Sequence, residues 1–359
     1  MIQLRLKSEC DRDLAPFVTR IAEGEPQSAE DATLWSLEAG ALGYRTGQTA
    51  FRLRGVAPAD IAGDVLLIDP RRQIAHRLIR AASPHNTFLV TEQCDQLCLM
   101  CSQPPKQNHE DMFGHFLTAA RLAPPGAQIG LSGGEPLLHK DDLFAFIDAV
   151  FSSRDDLSFH ILTNGQHFER GDLAWLRKHR ARLLWGVPIY SDDPATHDEI
   201  VGKPGAFAQL APNLSLLGLA GAALELRTVV LAQNAPGLPR LADFITLHLP
   251  FAATWAIMQM ERIGFGRMNW TRCFFDSSTD FASLGAAIDL MRARGQSASL
   301  YNFPLCTVPP AYRGLAMRSI SDWKQKYLPA CGACSLRDNC AGFFEWYREE
   351  DGFMEIRPQ

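Results

Sequence analysis

Phe88-Leu-Val-Thr-Glu-Gln-Cys94-Asp-Gln-Leu-Cys98-Leu-Met-Cys101 decides how this chain of 359 residues is read. Its first four residues are apolar or β-branched and predict a short buried strand. Three cysteines then fall in the segment after that strand. Downstream, strand-like runs recur at 129–132, 159–163, 183–189, 224–231 and 253–260. Between them lie helical patterns near 109–122, 141–151, 172–180, 206–220 and 237–247. The 141–151 pattern places Leu143, Phe146, Ile147 and Val150 on one face, with Asp141 and Asp142 at its start to suit the helix dipole. Six strand-and-helix units predict an α/β fold whose parallel sheet is covered on both faces.

Outward from that core, residues 1–85 read as a small α+β domain. Its markers are the alternation of Ile2, Leu4 and Leu6, a helical stretch near 29–42, and a strand at 63–68. Residues 86–271 hold the alternation, and 272–359 fall outside it. With 47% apolar and 21% charged residues, the chain is neither disordered nor a charged coiled coil. A formal charge of −5 argues against a general nucleic-acid binder. The start mixes both charge signs without the apolar stretch of a signal peptide, and the greasiest run, Leu214–Leu224, is too short to span a bilayer. The expectation is a cytoplasmic protein without nucleic-acid or membrane partners.

Nine cysteines are an odd number, and their grouping matters more than their count. Cys94, Cys98 and Cys101 form one group; Cys331, Cys334 and Cys340 form another, with Cys306 upstream. Grouped thiols in a reducing compartment point to metal or redox chemistry before disulfides. Three thiolates at C-x3-C-x2-C wrap one face of a cuboidal iron–sulfur cluster and leave one iron without a protein ligand. Spacing alone leaves a structural zinc site with a distant fourth ligand as the other reading. Cys10 and Cys273 have no partner at ligand spacing and read as small buried apolar residues. Further polar groups gather at the C-terminal ends of the predicted strands, where parallel barrels build their sites. These are Gly133-Gly-Glu135-Pro, Thr163-Asn164-Gly165, Ser191, Arg227 and Glu261.

C-x3-C-x2-C followed by Gly-Gly-Glu-Pro and then Thr-Asn-Gly resembles the radical S-adenosylmethionine (SAM) superfamily over about residues 86–270. That resemblance implies a partial (β/α)6 barrel and a [4Fe–4S] cluster on Cys94, Cys98 and Cys101, with SAM chelating the open iron. It implies that Gly133, Gly134 and Glu135 hold the SAM ammonium, with Met100, Thr163, Asn164, Ser191, Arg227 and Glu261 as further cofactor contacts. The family has an aromatic residue before the third cysteine; Met100 stands there in this chain, and a thioether packs against the same neighbours. The implied chemistry is reductive cleavage of SAM to a 5′-deoxyadenosyl radical that removes hydrogen from an unactivated carbon.

Cys331-x2-Cys334-x5-Cys340 with Cys306 resembles the single-cluster twitch form of the SPASM domain of peptide-modifying radical SAM enzymes. Phe344 occupies the position where a full SPASM domain has another cysteine, so one auxiliary [4Fe–4S] cluster is expected; zinc is the alternative on spacing grounds. The string from Ser83 through Lys106, with Glu261-Arg-Ile-Gly-Phe-Gly-Arg267, is similar to the His-Xaa-Ser system radical SAM maturases. That likeness implies a ribosomally made His-Xaa-Ser peptide as substrate, a companion radical SAM maturase, a small partner protein, and a reductant such as flavodoxin or ferredoxin. Two other readings stand beside it: a radical SAM enzyme acting on a small molecule or activating a partner enzyme, and a non-catalytic iron–sulfur or zinc module.

Overall fold

In a computed structural model, residues 2–38 and 40–359 are described. One sheet is a closed barrel and another is an eight-stranded sheet whose strands follow in simple chain order. The chain forms two compact units. The first comprises residues 1–91, 110–132 and 139–160; the second comprises 92–109, 133–138 and 161–359. This division does not coincide with the boundaries expected at 85 and 271.

The first unit opens with seven strands: β1 (Arg5–Cys10), β2 (Phe17–Ile21), β3 (Asp31–Glu38), β4 (Ala41–Thr46), β5 (Thr49–Arg54), β6 (Val65–Asp69) and β7 (Ile74–Ile79). They close in the order β1-β5-β4-β3-β2-β6-β7, and β1 pairs antiparallel with β7. The only helix among the described residues of this segment is the four-residue α1 (Pro58–Ile61). The α+β reading of this segment is therefore corrected to a β-barrel. Its expected helix near 29–42 is instead two antiparallel strands, β3 and β4. Inward-facing Ala32, Leu42 and Tyr44 join Phe51, Leu53, Leu66 and Ile68 in the barrel core, and that burial overrides the helical spacing of the local apolar residues. Asp64 and Arg77 form a buried ion pair beside it. After the barrel come β8 (Asn86–Thr91), α2 (Phe113–Arg121), β9 (Gln128–Gly133), α3 (Lys140–Ser153) and the start of β10 (Ser158–Leu162). Phe88 stacks on Phe116 at 4.6 Å, seating α2 on β8.

The second unit continues with α4 (Leu173–His179), β11 (Leu183–Pro188), α5 (Pro194–Val201), α6 (Ala206–Ala220), β12 (Ala223–Val229), α7 (Leu238–His248) and β13 (Thr254–Met258). Two short helices follow, α8 (Gly264–Met268) and α9 (Trp270–Cys273), then α10 (Ala282–Ala293), β14 (Ala298–Tyr301) and β15 (Ala316–Met317). Neighbouring strands from β11 to β15 are parallel. The alternation thus runs beyond residue 271: α10 packs on α7, and β14 extends the sheet. The sequence reading stopped at 271 because 272–281 lacks an apolar period. One face of the sheet carries Leu224, Leu226, Trp255, Ile257 and Leu300, all fully buried. The other carries Glu225, Arg227, Ala256, Ser299 and Tyr301 in register, so small residues flank the charged pair. No helix among the described residues is long and apolar enough to cross a membrane.

Candidate cysteine-loop site

The segment carrying Cys94, Cys98 and Cys101 is pinned by backbone hydrogen bonds on several sides. Leu97 N donates to Val201 O at 3.0 Å and Leu99 N to Ile200 O at 2.9 Å, which ties it to the end of α5. From α8 and its C-cap, Phe265 N donates to Cys101 O at 2.8 Å and Asn269 Nδ2 to Leu99 O at 2.9 Å. Glu135 N donates to Gln93 O at 2.7 Å. Next to it, a Cβ on Gly134 would stand 2.0 Å from Gln93 O, so only glycine lets the two segments approach.

All three thiols are free and partly buried. Burial pushes the Cys94 thiol up to about 11, with the nearby charges of Glu135, Asp95 and Cys101 adding to it. Burial raises Cys98 further, and the charges of Cys101 and Cys94 reinforce the shift, so the thiols lie close enough to feel one another. Neutral thiols in such a place give up their protons to a bound metal centre. Among the described residues, no three His, Cys, Asp or Glu side chains already converge as the ligands of a single ion. Met100 is buried with Tyr190, Ile200, Val201, Met260, Trp270 and Cys273, an apolar wall against Cys98. Cys273 is thus a buried apolar residue, as expected.

Glu135 is completely buried and anchors the next layer. Its Oε1 accepts from Leu137 N at 2.8 Å and Thr163 Oγ1 at 2.6 Å; its Oε2 accepts from Asn164 N at 2.5 Å. These bonds partly offset burial, which still raises its pKa. The carboxylate expected to meet an ammonium group therefore joins the Gly-Gly-Glu-Pro and Thr-Asn-Gly segments, with about one of its roughly four acceptor directions left over. Gly133 precedes this latch at the end of β9.

Asp95, between the first two cysteines, forms a polar hub that the sequence reading missed. Its Oδ1 accepts from Asn164 Nδ2 at 2.7 Å and its Oδ2 from Lys203 Nζ at 2.5 Å; His167 Nε2 stands 3.3 Å away. Lys203 also donates to Gln166 Oε1 at 2.7 Å. Burial alone would raise the Asp95 pKa, but hydrogen bonds and charge from His167 and Lys203 hold it well below the usual carboxylate range. Sequence carried only a faint signal of this hub, because Lys203 and His167 are remote from the cysteines along the chain.

The remaining expected contacts are more dispersed. Arg227 pairs with Glu225 two residues earlier on the same face of β12. Tyr190, which stands beside Ser191 after the fourth predicted strand, has its phenol pKa raised by burial and by Cys98, with Arg227 acting in the opposite sense. Tyr190 is buried with Met100 in the cluster against which Cys98 packs. Ser191 Oγ accepts from Asp193 N at 3.1 Å, a local turn contact. Glu261 is mostly buried beside Lys324 Nζ at 3.4 Å; burial raises its pKa and Lys324 opposes the shift.

The second cysteine group converges in the C-terminal segment. Cys306, Cys331, Cys334 and Cys340 line one small cavity with Leu305 and Phe343. Burial pushes Cys306 up to about 12, helped by the charges of Cys340, Cys331 and Cys334. Backbone N–H groups already aim at sulfur: Leu305 N and Gly342 N each donate to Cys340 Sγ at 3.3 Å, and Gln359 N to Cys334 Sγ at 3.5 Å. Four thiols with such donors suit an iron–sulfur cluster, whose potential is set in part by hydrogen bonds to its sulfurs. Phe343, Tyr347, Phe353 and Leu328 pack around them.

This fold recurs in solved structures. Streptococcus suis SuiB bound to S-adenosylmethionine superposes with a TM-score of 0.50 at 14% identity, covering 62% of this chain and 51% of SuiB. Native anSMEcpe with bound AdoMet gives a TM-score of 0.50 at 12% identity, covering 74% of this chain and 79% of that one. In sequence, the antilisterial bacteriocin subtilosin biosynthesis protein AlbA of Bacillus subtilis (strain 168) is 24% identical over 156 residues, 42% of this chain and 34% of AlbA. No protein-family model matches this chain. The chain spans about a third of AlbA's length and about half of SuiB's. SuiB has also been solved bound to the precursor peptide SuiA.

Proposed function

We propose that the chain cleaves S-adenosylmethionine reductively and modifies a peptide by hydrogen abstraction. The observation that carries this reading is the cysteine loop, three free thiols held against Gly134 and linked through Glu135 to Thr163 and Asn164. Cys94, Cys98 and Cys101 would hold a [4Fe–4S] cluster, and Cys306, Cys331, Cys334 and Cys340 an auxiliary one. Bound there, the first cluster would supply one-electron reduction of SAM, whose carbon–sulfur bond would break to give methionine and a 5′-deoxyadenosyl radical. Around it, Met100 and Tyr190 exclude water from the loop. Asp95, Lys203 and Asn164 fix the loop's path, Gly134 lets Gln93 pack against it, and the Gly133-Gly134-Glu135 segment would meet the polar end of SAM. Ser191, Arg227 and Glu261 would complete the SAM contacts.

AlbA's role in bacteriocin biosynthesis and SuiB's precursor peptide support a peptide as substrate. The finer reading is a ribosomally made His-Xaa-Ser peptide, handled in the cytoplasm with a companion maturase, a small partner protein and a flavodoxin or ferredoxin reductant. It rests on the sequence likeness from Ser83 to Lys106. Anaerobically reconstituted, reduced protein should release 5′-deoxyadenosine from SAM, and Cys98→Ala should not. Equal yield from both proteins would overturn the assignment of the cysteine loop. A co-expressed His-Xaa-Ser peptide of unchanged mass, with SAM still cleaved, would overturn the peptide alone.

A further inference from the structure

A cleft of about 410 Å³ is lined by Arg262, Arg267, Lys326, Arg348, Glu345 and Trp346. Four cations face one carboxylate there. Arg262 is 12% exposed, sits over the Trp270 ring at 5.6 Å and pairs through Nη2 with Asp351. Its Nε has no acceptor and is shut off from solvent; the same holds for Trp346 Nε1. Lys326 Nζ donates to Tyr347 O at 2.8 Å. Arg267 and Arg348 are exposed and carry no ion pair among the described residues.

Neither Arg262 Nε nor Trp346 Nε1 has solvent access, so the donors open to a ligand in the cleft are those of Arg267 and Arg348. Every unmet hydrogen-bonding group here is a donor, and the charge is positive. The complement is a group rich in acceptors and negative, for which a guanidinium fork suits a carboxylate. The volume is that of a site for a ligand larger than a lone ion, since small-molecule sites span roughly 300–1,000 Å³. Ile263 and the Trp346 ring add apolar wall for intervening side chains. We propose that this cleft binds an acidic stretch of a peptide through its carboxylates. The choice of a peptide rests on the function proposed above; the preference for carboxylates rests on the cleft.

The test uses the full chain and a fluorescein-labelled peptide of alternating Glu and Leu, read by anisotropy. Binding should weaken roughly tenfold in Arg267→Glu/Arg348→Glu, both exposed positions whose change leaves the fold to be confirmed by circular dichroism. Equal binding by native protein and double variant would overturn the proposal, as would equal binding of the same peptide with Lys for Glu. Full displacement by millimolar inorganic phosphate would show a generic anion site and overturn the peptide. Binding of the acidic probe by protein that fails to cleave SAM would sink the radical reading and leave the cleft standing; SAM cleavage without probe binding would do the reverse.

Discussion

Gly134 has no room for a side chain. Its Cβ would lie 2.0 Å from Gln93 O and 2.5 Å from Gln93 C, both backbone atoms that cannot swing aside. Gly134→Ala should therefore push the segment before Cys94 outward, cost about 1–3 kcal/mol by overpacking, and lower iron retention after anaerobic reconstitution. Urea denaturation and iron assay check both. His197 offers a pH test. It is 1% exposed, its Nδ1 accepts from Tyr190 N, and burial pushes its imidazole down to about 4 from 6.5. Between those values the unfolded chain binds a proton that the folded chain refuses. Stability contributed by neutral His197 is thus fully present above pH 6.5 and drains as pH falls toward about 4. The loss from this one group is up to roughly 3 kcal/mol. Urea midpoints at pH 7 and 5 should converge in His197→Gln, which has no imidazole to charge.

Among elements, α5 matters because its last carbonyls hold the cysteine loop. Asp193 caps it: one carboxylate oxygen accepts from Thr196 N at 2.9 Å and Thr196 Oγ1 at 2.7 Å. Asp193→Ala should cost about 1 kcal/mol in global stability, and should loosen the turn where Leu97 and Leu99 bond to Val201 and Ile200. Hydrogen exchange at Leu97 and Leu99 would report it; unchanged protection there would mean α5 does not restrain the loop. Legibility also differed by element. The strand after which the cysteines fall, and helices such as 206–220, were readable because one apolar period spans each whole element. Strand β3 was not, because Leu34 and Leu37 are exposed while Ala32 is buried, so exposure does not alternate along it, and the three-residue spacing of the leucines imitates a helix. Asp95 was passed over for another reason. Its partners Lys203, Asn164 and His167 meet it only after folding, and no local spacing encodes that.

At the scale of the whole molecule, two separate thiol groups imply separate metal inventories. Native protein reconstituted under anaerobic conditions should hold about eight irons per chain, and Cys331→Ser/Cys334→Ser about four, with SAM cleavage retained. Zinc in place of iron at the C-terminal group, without sulfide, would assign that group the structural role that spacing alone allows.

The bond from Asn269 to Leu99 joins positions 170 residues apart in the sequence. A lesion in this remote asparagine would thus betray itself as a paler preparation, its brown chromophore bleaching sooner in air, though no sulfur atom had been touched.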